Sequence, residues 1–198
     1  MTSDFGDAFG NAKAYEGYVG RWSRLVAQQF LAWLDIAPGQ SWLDVGAGTG
    51  ILTDVILHQA SPAKVIGVDF SPEYIEFARQ HIHDERVEFR VADAASLSSE
   101  SHEFDVSVAG LVLNFVSSPQ EAVKNMIQAI KPGGTVAAYV WDYGGQMEMM
   151  RNFWDAAIKI DPVASEMDAG QRFTICEPDN LRSLFQSQGL NAVEVIPI

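Results

Sequence analysis

Apolar positions along this 198-residue chain switch repeatedly between a helical and a strand period. Trp22, Leu25, Val26, Phe30, Trp33 and Leu34 fall at helical spacing, and Pro38-Gly39 then breaks the chain. Ser41-Trp42-Leu43-Asp44-Val45 predicts a buried strand that runs through a glycine turn into a helix carrying Ile51, Leu52, Val55 and Ile56. Val65–Phe70 predicts a second strand with an acid, Asp69, near its end. Ser71-Pro72-Glu73 opens a helix, with serine as N-cap and proline in the first turn, and Tyr74, Ile75 and Ala78 facing inward. Val87, Phe89 and Val91 alternate in a third strand that leads to Ala92-Asp93-Ala94, and Phe104–Ala109 makes a fourth. Ser118-Pro119-Gln120-Glu121 is a capping box for a helix that stops at Lys131-Pro132-Gly133-Gly134. Thr135 to Trp141 is apolar on both faces, as a central parallel strand is.

The remainder predicts an inserted helix whose Met147, Met150, Phe153, Trp154, Ala157 and Ile158 stripe belongs to the core. A helix over Pro178–Gln188 closed by Gly189 follows, and a sixth strand over Asn191–Ile198. Repeated β-α units with short connections imply an α/β fold, one doubly wound, mostly parallel sheet with helices on both faces. Residues 41–198 read as that domain and residues 1–40 as a helical segment before it, a single domain overall.

The turn between the first strand and its helix carries the chemistry. Gly46, Gly48 and Gly50 alternate, which lets the backbone turn sharply and leaves no side chain between it and a ligand. Asp69 stands where a nucleoside ribose presents its hydroxyls. The dinucleotide fingerprint is G-x-G-x-x-G, with a pyrophosphate at the helix N-terminus. Here the third glycine comes one residue early and Asp44 sits two residues before the first. A carboxylate there repels a pyrophosphate and suits an ammonium. S-adenosylmethionine has an ammonium, a sulfonium and a ribose but no phosphate. An NAD(P)-dependent oxidoreductase stays open as the alternative.

A net charge of −13 with no basic run argues against nucleic acid, whose phosphates demand a basic stripe. The single cysteine, Cys176, rules out an intrachain disulfide and suits a reducing compartment. No signal peptide and no apolar run of membrane-spanning length is visible, so a cytoplasmic protein is expected. His81, His83 and Asp84 are wrongly spaced for a metal site on one helical face, and none is expected.

The chain resembles the class I S-adenosylmethionine-dependent methyltransferases, particularly the small-molecule type related to quinone-biosynthesis enzymes. The motifs are Leu43–Gly50, Val65–Ser71, Val91–Leu97, Phe104–Val116 and Lys131–Trp141, in family order. The resemblance implies S-adenosylmethionine as donor, S-adenosylhomocysteine as product and a small-molecule acceptor. It implies that Asp44, Gly46, Ala47, Gly48 and Gly50 line the methionine part of the cofactor. Asp69 would accept from both ribose hydroxyls, with Phe70 against the adenine. Asp93 would accept from the adenine amino group, and the Ala94 N–H would donate to a ring nitrogen. Leu111 to Asn114 would pass beneath the methionine chain and face the methyl group. Upstream, Tyr15, Tyr18, Arg21 and Trp22 would belong to a lid within residues 1–40, with Arg21 paired to the cofactor carboxylate and Tyr18 beside it.

Methyl transfer from a sulfonium is an in-line displacement, so catalysis rests on proximity and dryness. Asn114, Asp142 and Tyr143 are the weak catalytic candidates, with His102 behind them, and none stands out. A relative that binds the cofactor without turnover also remains open. The fourth strand lacks an Asn/Asp-Pro-Pro-aromatic motif, which argues against amino-group methylation of nucleobases or glutamine. The family's seventh, antiparallel strand finds no counterpart before Ile198. A truncated C-terminal region is therefore expected, with a sheet edge open to a second copy.

Overall fold

Five strands form one sheet: β1 (Ser41–Val45), β2 (Lys64–Asp69), β3 (Val87–Val91), β4 (Phe104–Gly110) and β5 (Ile130–Tyr139). Their order is β3-β2-β1-β4-β5 and every neighbouring pair is parallel, the doubly wound arrangement expected. This is a computed structural model that describes residues 16–97 and 102–198, apart from the side chains of Glu16 and Tyr18. The helices are α1 (Arg21–Leu34), α2 (Ile51–Gln59), α3 (Pro72–His81), α4 (Pro119–Ala129), α5 (Glu148–Ile160), a short α6 (Ala169–Arg172) and α7 (Pro178–Ser187). No helix among the described residues is long and apolar enough to cross a membrane.

Alternation along β1 sorts the two layers. Trp42 packs with Ala27 and Phe30 of α1 and Leu52 and Ile56 of α2. Leu43 and Val45 face the other way, onto Val123 and Met126 of α4 and Leu184 and Phe185 of α7. Each such side chain contributes about 1.5–3 kcal/mol when fully buried. A slip of one residue would exchange the two faces, so the register is strongly specified.

Several local expectations hold and several are corrected. Ser71 caps α3 by accepting from the Tyr74 N–H at 3.3 Å. Ser118 makes no side-chain cap. The reciprocal arm of that box, Glu121, is turned to Lys124 at 3.3 Å instead. On α1 the buried face is Ser23, Ala27, Phe30 and Leu31, while Trp22 and Leu25 are 53% and 55% exposed. Arg24 donates to Asp54 of α2 at 3.0 Å, and this contact orients the first turns of α1 with Leu25 outward. The Met and aromatic stripe of α5 is also not core. No residue of α5 is fully buried, because its main neighbour is the 3-10 turn Pro162–Met167 and not the sheet.

The Lys131-Pro132-Gly133-Gly134 turn survives inside β5 as a bulge. Phe104 pairs with Ile130 and Val106 pairs with Thr135, so the residues between loop out, with Gly133 at φ 83°. The bulge brings Lys131 to 2.7 Å from Asp105, which also accepts from the Ser41 N–H at 2.9 Å. The strand ends at Tyr139, two residues before the expected Trp141.

The expected sixth strand is absent. Asn191–Ile198 joins no ladder, and Ala192 has a left-handed φ of 54°. Val193 and Val195 still pack against the core, so the alternation reports side-chain burial without backbone pairing. A groove of roughly 820 Å³ runs between this segment and β5, walled by Phe30 and Trp33 on one side and Leu181 and Phe185 on the other.

Candidate functional site

Asp44, at the end of β1, is 0% exposed. Its Oδ2 accepts from the Thr53 hydroxyl at 2.6 Å, and the Thr53 backbone N–H bonds it as well. Its Oδ1 is buried without a partner. Burial pushes its carboxyl up to about 7, opposed by the Thr53 hydroxyl and reinforced by the nearby Asp69 charge. Asp44 therefore stands at the N-terminus of α2, where the helix dipole favours a negative group.

The loop that follows is already bonded to protein. Gly46 and Ala47 both donate to the Val68 carbonyl, at 2.8 and 2.9 Å. The Gly48 N–H donates to Asp69 Oδ2 at 2.9 Å, and the Gly50 N–H to the Ala47 carbonyl at 2.8 Å. The three glycines do different things, which corrects the expectation that all of them clear the way for a ligand. A Cβ on Gly46 would collide with Val112, so this glycine admits the loop after β4. A Cβ on Gly50 would collide with Ile82, which follows α3, and would lie 3.3 Å from both Ala78 and Phe89, so that glycine lets α2 meet α3 and β3. At Gly48 nothing comes closer than 4.0 Å, which leaves this position open to a bound group.

Asp69 is 6% exposed, with Oδ2 on Gly48 and Oδ1 accepting from the Ser71 N–H at 2.9 Å. Burial raises its pKa, against the lowering by those two amides. A carboxylate offers about four acceptor sites, so two remain for a vicinal diol. No described Lys or Arg pairs with Asp44 or Asp69, so no protein cation neutralises either carboxyl. The donor set thus fits a cationic nucleoside.

The other expected residues divide. Phe70 is 74% exposed beside Asp69, an open ring at the rim. Asp93 caps a 3-10 turn by accepting from the Ala95 N–H at 2.8 Å, and the Ala94 carbonyl accepts from Asn125 at 3.0 Å. Leu111 has a left-handed φ of 59° and donates its N–H to Tyr139. Such a conformation in a bulky residue costs on the order of 1–3 kcal/mol and marks a constrained turn. Asn114 keeps a buried Nδ2 without a partner. Asp142 accepts from the Gly145 and Gln146 N–H groups, at 2.9 and 2.8 Å, within its own turn. Tyr143 packs on Phe173 at 5.4 Å between ring centroids, and Phe173 packs edge-on against Phe115 at 5.3 Å. His102 lies at the amino end of β4, against the Ile130 carbonyl, and is removed from the candidates. Arg21 lies over the Trp22 ring at 4.9 Å. Tyr15 and the side chain of Tyr18 lie outside the described residues.

Thr53 and Phe173 were missed in the sequence. Thr53 carried a signal, since a threonine in the first turn of a helix can reach an acid ending the preceding strand. Phe173 carried none, because its ring partners Phe115 and Tyr143 come from distant loops.

Residues 43–138 match a protein family described as a methyltransferase domain. The chain is 28% identical over 170 residues to arsenite methyltransferase of Halobacterium salinarum, covering 84% of this chain and 41% of that protein. It is 26% identical over 165 residues to malonyl-[acyl-carrier protein] O-methyltransferase of Acetivibrio thermocellus, covering 82% and 57%. The chain thus spans about half the length of the curated relatives it matches. Its fold is similar to that of a chain in the complex between the Haloferax volcanii Trm112 methyltransferase activator and a methyltransferase. That match has a TM-score of 0.72 at 21% identity, over 98% of this chain and 79% of the other.

Proposed function

The chain carries a class I S-adenosylmethionine-dependent methyltransferase domain over residues 43–138, and from that premise we propose that the protein methylates a small-molecule acceptor. The observation that carries this reading over a nicotinamide enzyme is the state of the loop amides. Gly46, Ala47, Gly48 and Gly50 have already given their N–H groups to protein acceptors. Asp44 stands at the start of α2, where a pyrophosphate would have to go. A phosphate there would meet a carboxylate and four loop amides that are already engaged.

When bound, the cofactor supplies an electrophilic methyl group on a sulfonium. Asp69 holds the ribose hydroxyls, Phe70 and the Asp93–Ala94 turn border the adenine, and Asp44 faces the methionine ammonium. Val112 and Leu111 order the turn beneath the methionine chain, and Asn114 presents an unspent amide at the end of β4. Phe115, Tyr143 and Phe173 give the acceptor an aromatic wall. Catalysis rests on alignment and exclusion of water, and no general base is assigned. Among the described residues, support for a lid within residues 1–40 comes from the start of α1, which the Arg24–Asp54 pair holds beside the first turn of α2, while Ala27 and Phe30 farther along α1 belong to the core.

Calorimetric titration with S-adenosylmethionine, S-adenosylhomocysteine and NAD tests the reading. Binding of the first two and not the third is expected, and tight binding of NAD alone would overturn it. Turnover with candidate acceptors separates an enzyme from a protein that only binds the cofactor.

The open edge of β5 is read as a dimer contact, since unpaired strand edges attract another chain. Sedimentation equilibrium should then give twice the chain mass, and a monomer at all concentrations would refute the contact. The lone cysteine supports a cytoplasmic setting.

A further inference from the structure

A carboxylate buried at the end of an apolar strand loses its hydration, and it ionises there only if donors replace the water. Asp44 has such donors from a single residue, the hydroxyl and backbone N–H of Thr53. Among the described residues, no ion pair engages it. From β2, Asp69 opposes its charge. From β4, Val108 lies opposite in register, and the neighbouring Ser107 hydroxyl is buried without a partner. On α2, Asp54 follows Thr53 and is engaged by Arg24 of α1 at 3.0 Å and by His58 at 3.4 Å. Thr53 is itself fully buried, so the pair ties β1 to the first turn of α2.

We propose that Thr53 is a positioning residue for the cofactor, its hydroxyl holding Asp44 ionised and in place so that the site presents a negative charge to the cofactor ammonium. This rests on the methyltransferase reading above. It predicts a particular pH behaviour. An ammonium favours the ionised carboxylate, so cofactor affinity declines as pH falls through the Asp44 titration near 7. Removing a hydroxyl that bonds the charged form moves that titration upward, by about one pH unit. A threonine that merely filled space would not move it.

The test is calorimetry of the full chain with S-adenosylhomocysteine, from about pH 5.5 to about pH 8.5. Wild type, Thr53→Ser and Thr53→Val are compared, with thermal melts to verify folding. The expected result is a wild-type affinity that weakens up to about tenfold per pH unit below its midpoint. Thr53→Ser keeps the midpoint and Thr53→Val raises it. Should valine disturb the packing, Thr53→Ala makes the same deletion without added bulk. A uniform loss of affinity with an unmoved midpoint would overturn the proposal, as would no change at all. If wild type binds at no pH, the methyltransferase reading itself fails and this inference falls with it.

Discussion

Replacing Asp69 by alanine is expected to weaken S-adenosylhomocysteine binding by at least about tenfold, with the sheet intact. Asp69 ends β2 with each carboxylate oxygen on one backbone amide, Gly48 on one side and Ser71 on the other. It therefore does two jobs. It holds the one glycine that leaves room for a ligand, and it offers its remaining lone pairs to two hydroxyls. Hydrogen bonds to a charged acceptor are worth roughly 1.5–3 kcal/mol each, so losing one already exceeds a factor of ten. The fold should survive because β2 pairs through its backbone, with Asp69 opposite Val91, and that ladder does not use the side chain. Asp69→Asn should fare badly too, since its amide must point a donor at one of two donors. Calorimetry alongside a thermal melt checks this. An unchanged dissociation constant in a folded variant would mean that Asp69 does not bind the ribose.

Asp44→Asn is expected to stabilise the protein at about pH 8 while weakening cofactor binding. Burial raises the folded carboxyl from 3.8 to about 7, so the native state keeps its proton where the unfolded chain has lost it. The stability this supplies is present in full below about pH 4 and is lost as pH rises through about 7. A shift of roughly three pH units at about 1.4 kcal/mol each places the loss on the order of 4 kcal/mol. Asparagine bears no charge at any of these values and keeps an oxygen for the Thr53 hydroxyl. Urea denaturation at about pH 5 and about pH 8 should show wild type losing stability on the way up and the variant nearly flat. Equal slopes for the two proteins would show that Asp44 does not titrate in this range. The same substitution removes the charge facing the ammonium, so the stabilised variant should bind S-adenosylhomocysteine more weakly. Stability and binding thus draw on opposite states of one carboxyl.

The order of strands and helices was legible because it follows from local rules. Period two in Val87, Phe89 and Val91 and helical spacing in Ile51, Leu52, Val55 and Ile56 are properties of short stretches of chain. So was the serine cap at Ser71, whose acceptor and donor lie three residues apart. The placement of Asp44 and Asp69 at strand ends was equally readable, since each strand predicts its own end.

What each of those groups does there was not readable. Gly46, Gly48 and Gly50 look alike in sequence, and only Val112, Ile82 and Phe89, brought in from elsewhere, make two of them packing positions and leave one open. Asp142 and Asn114 were equal candidates until the fold gave one carboxylate two amides and left the other side chain an unspent donor. Asn191–Ile198 has the alternation of a strand, and Val193 and Val195 do pack inward, yet its backbone pairs with nothing. Burial period is written in a segment, because the solvent each side chain avoids is everywhere the same. Hydrogen-bond partners and free space belong to residues far away in the chain, so the sequence alone determined the elements up to β5 and the kind of ligand, and the tertiary structure decided the pairing of the last segment and which atoms remained free to bind.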